Sequence, residues 1–209
     1  MRTIALIGNK GGAGKTTLCV NLAAALGSDQ PTIILDADPQ QSSLQWQIIA
    51  DGHGAVEVVS AADDVIQTHR EITDNYSYCL IDCPPSAQSR QMHDALAIAD
   101  LAVVPVLPSP LDIWATVHIE QAVASARQEN PGLKVLLVIN QYESRTRLSK
   151  LMEPALGQLE LPSATAFIKR RAVYRHSFLE GRTVHEAGRP GREASDEIHQ
   201  LIQELEKLL

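Results

Sequence analysis

Cysteine is scarce in this chain of 209 residues, and the spacing of the three cysteines excludes the sites that cysteine usually builds. Cys19, Cys79 and Cys83 are odd in number, and none belongs to a C-x-x-C pair or lies beside histidines at metal-ligand spacing. Neither a disulfide framework nor a zinc site is therefore expected, and the thiols should be reduced.

Long apolar runs are missing as well. No stretch approaches the roughly 18 uninterrupted apolar residues that a membrane-spanning helix needs. The opening residues MRTIALI lead straight into a glycine-rich loop instead of a signal-peptide cleavage site. We therefore expect a cytoplasmic protein that keeps its N-terminus.

The chain also lacks an excess of positive charge, because 25 acidic residues outnumber 18 lysines and arginines and leave a net charge of -7. Any contact with nucleic acid must therefore come from a local patch. The 209 residues, 44% of them hydrophobic, suffice for one sizeable core but not for two comfortable domains. We expect a single globular domain over residues 1–209.

Short apolar runs alternate with longer helical patterns, which is typical of a parallel sheet with crossover helices. The runs are mostly continuous Val, Ile, Leu and Ala, as expected when helices cover both faces of the sheet. This predicts an open α/β fold, in which ligands bind beyond the carboxyl ends of the strands. Strands are predicted at residues 3–7, 32–35, 55–59, 78–81, 101–106, 135–139 and 164–168, and helices at residues 15–26, 62–73, 89–99, 113–129, 148–159 and 193–208.

The first strand is followed by GNKGGAGKTT, residues 8 to 17, in the strand-to-helix context of a phosphate-binding loop. The glycines let the backbone curl so that successive N–H groups point at phosphate oxygens, reinforced by the helix N-terminus. Lys15 is predicted to bridge the β- and γ-phosphates, and Thr16 to give its hydroxyl to Mg²⁺. Asn9 stands at the first position of the motif, where glycine is common. The predicted nucleotide-binding residues of the loop are Gly11, Gly12, Ala13, Gly14, Lys15, Thr16 and Thr17.

Three aspartates follow strands that neighbour this loop in the predicted sheet. LDADPQ places Asp36 and Asp38 two residues apart, hence on the same side of an extended chain. LIDCPPS places Asp82 at a strand end, where nucleoside triphosphatases carry the acidic residue that supports magnesium. Asp36 could instead belong to a turn or cap a helix, and Asp82 could simply end a strand.

Together, the segments KGGAGKT, DADPQ, IDCPPS, PVLPSPLDIWA and VIN resemble the deviant Walker A ATPases, specifically the short ParA group that positions plasmids, chromosomes and other cargo. The resemblance runs from the first strand to about residue 186. It implies the P-loop fold and a magnesium-dependent ATPase that forms a nucleotide-sandwich homodimer. It also implies slow hydrolysis that a ParB-like or cargo-adaptor protein stimulates.

The resemblance assigns roles to single residues. Lys10, the additional lysine of the loop, resembles the residue that reaches the phosphates bound by the partner subunit, where two nucleotides concentrate negative charge. Asp38 resembles the catalytic carboxylate that orients the attacking water, and Asp36 and Asp82 resemble carboxylates that support magnesium through water. Asn140 resembles the residue that reads the adenine edge, although an asparagine here could also belong to a polar turn.

Residues 168–192 concentrate positive charge in an otherwise acidic chain. ParA relatives bind nucleoid DNA as ATP-bound dimers through basic residues of this region, and such phosphate contacts need no sequence code. The resemblance therefore implies non-specific DNA binding and association with the nucleoid in the ATP form. Some arginines could instead pair with Glu180, Glu186 and Glu193 or cap helices. The candidates are Lys169, Arg170, Arg171, Arg175, Arg182, Arg189 and Arg192.

Two alternatives come from the same superfamily. The alternative function is a MinD-like membrane-associated or partner-only ATPase regulator, since MinD docks on membranes through an amphipathic C-terminal helix with a basic face. Here the tail SDEIHQLIQELEKLL opposes its apolar stripe with acidic residues, which anionic lipid would repel, so we expect this helix to face the core. The iron–sulfur branch of the superfamily is less favoured, because it needs surface cysteines that meet across a dimer.

Overall fold

The fold of this protein, obtained as a computed structural model, is built around a parallel β-sheet; the structure describes residues 1–51, 56–143 and 159–209. The strands are β1 (Arg2–Leu6), β2 (Thr32–Asp36), β3 (Glu57–Ser60), β4 (Tyr78–Asp82), β5 (Leu101–Val106), β6 (Lys134–Tyr142) and β7 (Ile168–Lys169). The described helices are α1 (Lys15–Gly27), α2 (Ser42–Ala50), α3 (Val65–Ile72), α4 (Arg90–Ile98), α5 (Pro110–Ala115), α6 (Val117–Glu129), α7 (Ala172–Leu179) and α8 (Arg192–Leu208). The helix predicted at residues 148–159 lies outside the described residues, except for its last residue.

Seven strands of the described chain form one sheet in the order β3-β2-β4-β1-β5-β6-β7, and every neighbouring pair is parallel. Two hydrophobic clusters cover the two faces of this sheet. One includes residues of α1 and α8, and the other includes residues of α3, α4 and α6. The predicted α/β architecture with helices on both faces is thus confirmed, and it brings the ends of β1, β2 and β4 side by side.

Several predicted boundaries were wrong, and the seventh strand shows why. It was predicted at residues 164–168 but is confined to Ile168–Lys169. The backbone N–H groups of Thr165 and Ala166 donate to the Glu204 carboxylate of α8, each at 2.8 Å, so they do not extend the strand. The one predicted helix at residues 113–129 is in fact α5 and α6, which divide at Thr116, where the backbone N–H donates to the Ile113 carbonyl three residues back.

The C-terminal helix α8 faces the core, as predicted. Its side chains Ile198, Leu201 and Leu205 are buried in the cluster that contains α1. The charge of Glu197 predicts a position on the solvent face, but its side chain is buried. Its carboxylate accepts hydrogen bonds from the backbone N–H of Lys169 in β7 and from the guanidinium of Arg171, just before α7. Among the described residues, no helix combines the length and apolar character needed to cross a membrane.

Candidate nucleotide-binding site

The phosphate loop joins β1 to α1 in the predicted strand-to-helix context. Gly12 and Gly14 have φ angles of 78° and 90°, in the left-handed region that favours glycine. A Cβ atom on Gly14 would lie 2.3 Å from Nδ2 of Asn140, so a side chain is unfavourable there on two grounds. Oδ1 of Asn9 accepts a hydrogen bond from the backbone N–H of Ala87 at 3.2 Å. Asparagine at the first motif position therefore ties the loop to the segment after β4.

The end of β6 supports the same loop from the other side. Asn140 donates from Nδ2 to the Ala13 carbonyl at 2.7 Å, and its Oδ1 accepts from the backbone N–H of Gln141 at 2.9 Å. Gln141, with a φ of 56°, donates from Nε2 to the Gly12 carbonyl at 3.0 Å. Gln141 was not predicted from the sequence. The role of Asn140 in reading adenine stays a prediction, since here its amide holds the phosphate loop.

Lys15 is a buried cation at the centre of the loop. It is 7% exposed, and its Nζ donates to the Lys10 carbonyl at 3.4 Å. Burial lowers the pKa of Lys15, while the nearby carboxylates of Asp82 and Asp38 act in the opposite direction. Within the described ranges no carboxylate lies within 4 Å of this ammonium, which leaves it available to a phosphate.

Asp82, at the end of β4, carries the feature that best fits a hydrated Mg²⁺. Its Oδ2 accepts from the Ser43 hydroxyl at 2.7 Å, but its buried Oδ1 has no hydrogen-bond partner in the described part of the chain. Burial raises the pKa of Asp82 to about 7, against the lowering effect of the Ser43 and Thr16 hydroxyls. The Asp82 carboxylate, with its unpaired Oδ1, and the nearby Thr16 hydroxyl would supply the oxygen ligands that Mg²⁺ prefers, directly or through water.

Asp36 and Asp38 shape the segment after β2. Asp36 lies in register with Asp82 on the neighbouring strand, and burial raises its pKa. Its Oδ1 accepts from the backbone N–H of Asp38 at 3.2 Å, and its Oδ2 accepts from that of Leu44 at 3.0 Å, so it caps α2. Oδ1 of Asp38 accepts from the backbone N–H of Gln40 at 2.9 Å. The structure brings both aspartates to the site, and their roles toward magnesium and water stay predictions.

Lys10 projects from the loop toward α5. Its Nζ lies 2.6 Å from Oδ1 of Asp112, in an ion pair whose side chains are 48% and 15% exposed. The same short helix carries two large exposed apolar residues, Leu111 and Trp114. Asp112 was not predicted from the sequence, although it lies in the PVLPSPLDIWA segment. The predicted contact of Lys10 with the nucleotide of a partner subunit stays a prediction.

A cavity of about 340 Å³ opens beside the phosphate loop. Gly14, Thr17 and Asn140 form one side of it, and residues of β7 and α7, including Ile168 and Tyr174, form the other. A nucleoside whose phosphates lie on the loop would fit a mostly apolar cavity of this size.

The predicted DNA-binding cluster divides into two groups. Four of its members have carboxylate partners: Lys169 and Arg171 pair with Glu197, Arg171 also with Glu193, Arg170 with Glu143, and Arg182 with Glu180. Glu186, an expected partner, instead accepts hydrogen bonds from Thr183. Lys169, Arg170, Arg171 and Arg175 also line the cavity beside the phosphate loop. Only Arg189 and Arg192 are both outside that cavity and without an ion pair in the described chain.

The three cysteines are free and buried, and their reduced state stays a prediction. No group of three or more metal-binding side chains of the histidine, cysteine or carboxylate type occurs in residues 1–51, 56–143 and 159–209.

The loop, the buried Lys15 and the adjoining carboxylates define a nucleotide-binding protein of the P-loop class. Residues 4–184 match the family model described as the CobQ/CobB/MinD/ParA nucleotide binding domain. The chain belongs to this family. The predicted relation to ParA and MinD proteins is thereby confirmed.

Particular relatives agree with this assignment. The "Maintenance of carboxysome distribution protein A" of Halothiobacillus neapolitanus is 36% identical over 206 residues, which cover 97% of this chain and 95% of the relative. The fold resembles the cell division ATPase MinD of Pyrococcus furiosus, with a TM-score of 0.77 and 22% identity over 100% of this chain and 99% of that one. It also resembles the cobyrinic acid a,c-diamide synthase of Mycobacterium smegmatis with a bound ATP analogue and magnesium, with a TM-score of 0.75 and 19% identity over 97% and 94% of the chains.

Proposed function

We propose that the protein is a magnesium-dependent ATPase switch that positions intracellular cargo. The observation that carries this proposal is the pair of lysines in one phosphate loop. Lys15 is buried at the loop centre, and Lys10 is half exposed and turned toward α5. One cation thus serves the nucleotide of its own subunit, and the other is accessible to a second subunit.

The residues of the site divide the chemistry among them. Lys15 and the N–H groups of the glycine loop hold the β- and γ-phosphates, and Thr16 and Asp82 hold Mg²⁺, which neutralises charge on the phosphates when bound. Asp38 orients the water that attacks the γ-phosphate. Asp36 keeps Asp38 in place through the Asp38 backbone N–H. Slow turnover that a partner protein stimulates is part of this proposal, because the resemblance to the ParA group implies it.

Lys10 would make the protein dimerise when ATP is bound. In the single chain, Asp112 neutralises its ammonium. When two ATP-bound subunits meet face to face, Lys10 exchanges this carboxylate for the phosphates of the partner's nucleotide. Because ADP lacks the γ-phosphate, the exchange is less favourable after hydrolysis, and the dimer dissociates.

The cargo we propose is a protein compartment, because the Halothiobacillus relative is described as maintaining carboxysome distribution. ATP-bound dimers would associate with nucleoid DNA without sequence preference, and a cargo-adaptor protein with a ParB-like role would stimulate hydrolysis and release them. Plasmids and chromosomes are the alternative cargo within the same ParA group.

ATP-dependent DNA retention tests this function. The purified protein is incubated with a mixed-sequence DNA duplex in Mg-ATP or Mg-ADP at moderate salt, and the bound fraction is measured. We expect retention in ATP to exceed retention in ADP clearly, and equal retention would contradict the DNA part of the proposal. Co-sedimentation with anionic liposomes tests the MinD-like alternative, which α8 disfavours because its apolar face is buried in the core.

A further inference from the structure

The first turn of α2 contacts the aspartates that end β2 and β4. The Ser43 hydroxyl donates to Oδ2 of Asp82 at 2.7 Å, and the backbone N–H of Leu44 donates to Oδ2 of Asp36 at 3.0 Å. The Leu44 contact uses the backbone and is kept when the side chain changes, whereas the Ser43 contact requires a hydroxyl. Ser43 is therefore the residue of this turn whose side chain acts on the site.

The hydrogen bond between Ser43 and Asp82 is closed to water, because both residues are 0% exposed. A serine hydroxyl has one proton to donate, and here Oδ2 of Asp82 receives it. The other oxygen, Oδ1, is also buried and has no hydrogen-bond partner in residues 1–51, 56–143 and 159–209. The hydroxyl thus occupies one oxygen of Asp82 and leaves the second oxygen to a ligand that enters the site.

Helix α2 fixes the position of this hydroxyl through contacts of its own. Trp46, one turn after Ser43, is 0% exposed, and its Nε1 donates to the Arg182 carbonyl at 3.4 Å. A Cβ atom on Gly181 would lie 2.3 Å from the backbone nitrogen of Ala50, so the segment after α7 is in close contact with the end of α2. The donor is therefore in place before nucleotide and magnesium bind.

We propose that Ser43 is a positioning residue for magnesium, which holds Oδ2 of Asp82 and thereby keeps Oδ1 available to the hydrated ion. This inference rests on the proposed magnesium-dependent ATPase and specifies what orients its carboxylate. The last torsion of an aspartate side chain is broad, so a carboxylate without a partner samples many orientations. A fixed donor restricts Asp82 to the orientation in which one oxygen faces α2.

A purely structural role of Ser43 makes a different prediction. If the hydroxyl only stabilised α2, its loss would lower the denaturation midpoint and would weaken nucleotide binding equally with and without Mg²⁺. An orienting role changes the part of the nucleotide affinity that Mg²⁺ contributes. The two roles are therefore separated by measuring nucleotide binding in both conditions.

The test measures how much Mg²⁺ tightens the binding of an ATP analogue whose terminal phosphate cannot be hydrolysed. The dissociation constant of the analogue is measured by calorimetry in Mg²⁺ and in EDTA, and the ratio of the two constants gives the contribution of the ion. Ser43→Ala removes the hydroxyl. Ser42→Ala is the matched control, because Ser42 begins the same helix and its side chain forms no hydrogen bond within the described part of the chain. The denaturation midpoint is measured on the same samples.

We expect the tightening by Mg²⁺ to be about 10-fold smaller in Ser43→Ala than in the original protein, which is the lower end of the effect that loss of such a partner has on metal affinity. Binding in EDTA should stay close to that of the original protein, because the loop that holds the phosphates is intact. Ser42→Ala should keep both dissociation constants.

A double variant tests whether Ser43 acts through Asp82. Asp82→Asn removes the charge of the carboxylate and should itself reduce the tightening by Mg²⁺. Adding Ser43→Ala to Asp82→Asn should then cause no further reduction, because the two residues belong to one interaction.

Three results would overturn the inference: an unchanged ratio in Ser43→Ala, an equal loss of affinity in Mg²⁺ and in EDTA, or a further reduction when Ser43→Ala is added to Asp82→Asn. If Mg²⁺ does not tighten nucleotide binding in the original protein, the magnesium part of the proposed function fails together with the inference. If Mg²⁺ tightens binding equally in the original protein and in Ser43→Ala, the inference alone fails.

Discussion

Replacing Asp112 with asparagine should strengthen the ATP-dependent dimer. In each subunit, Lys10 must leave Asp112 before it can reach the partner's nucleotide, and the two atoms concerned, Nζ and Oδ1, are 2.6 Å apart. The lysine is about half exposed, so we assign the pair the value of a partly screened surface ion pair, about 0.5–1 kcal/mol. A dimer breaks two such pairs, which gives about 1–2 kcal/mol and a dimer dissociation constant lower by about 5- to 30-fold.

Sedimentation equilibrium in Mg-ATP measures this change, with Asp38→Ala in every sample so that ATP is not consumed. Asp94→Asn is a matched control, because the Asp94 side chain is also 15% exposed and pairs with Arg90 at 3.2 Å. We expect Asp112→Asn to tighten the dimer and Asp94→Asn to leave it unchanged. An unchanged or weaker dimer for Asp112→Asn would refute the reasoning, and equal tightening of both variants would attribute the effect to net charge.

Three further predictions test the site and the fold. Asp38→Ala should retain ATP binding and lose hydrolysis, because the attacking water loses its orienting carboxylate; hydrolysis at the original rate would contradict this assignment. Gly14→Ala should destabilise the protein by about 1–3 kcal/mol in urea denaturation, because its φ is 90° and the new Cβ would meet Asn140, whereas Gly11→Ala, whose Cβ would meet no atom within 4 Å, should cost much less. Burial lowers the pKa of His185, and the neighbouring His199 lowers it further, against the raising effects of the Asn21 carbonyl and Glu186. The unfolded chain therefore takes up this proton first as the pH falls, and stability is lost below about pH 6.5. Between about pH 7.5 and about pH 5.5, the free energy of unfolding of His185→Gln should fall less than that of the original protein. An equal fall in both proteins would show that His185 does not cause this pH dependence.

The central sheet and the phosphate loop were predictable because local patterns determine them. Strands that are buried on both faces appear in the sequence as continuous apolar runs, and β2 and β4 are indeed buried throughout. The loop has positive φ angles at Gly12 and Gly14, where glycine is favoured, so the glycines in the sequence predict its conformation.

Features that depend on distant residues were not predictable. Helix α2 was missed because its cap comes from Asp36, outside the helix, and because Ile48 and Ile49 are 76% and 50% exposed, which removes the amphipathic pattern. The pairing of Arg171 with Glu197 was also missed, because the two residues are 26 positions apart and Glu197 belongs to a helix whose other acidic residues suggest a solvent face. Carboxylate partners of Lys169, Arg170, Arg171 and Arg182 were thus only partly predictable, and the role of these residues toward DNA stays a prediction.

The molar mass in the two nucleotide states tests the central claim most directly. Light scattering on the purified chain should give about 22.7 kDa in Mg-ADP and about twice that value in Mg-ATP, and the increase should disappear in Lys10→Ala, which retains Lys15 for binding nucleotide. An equal mass in both nucleotides, or a full increase in Lys10→Ala, would contradict a switch that depends on the additional lysine of the phosphate loop.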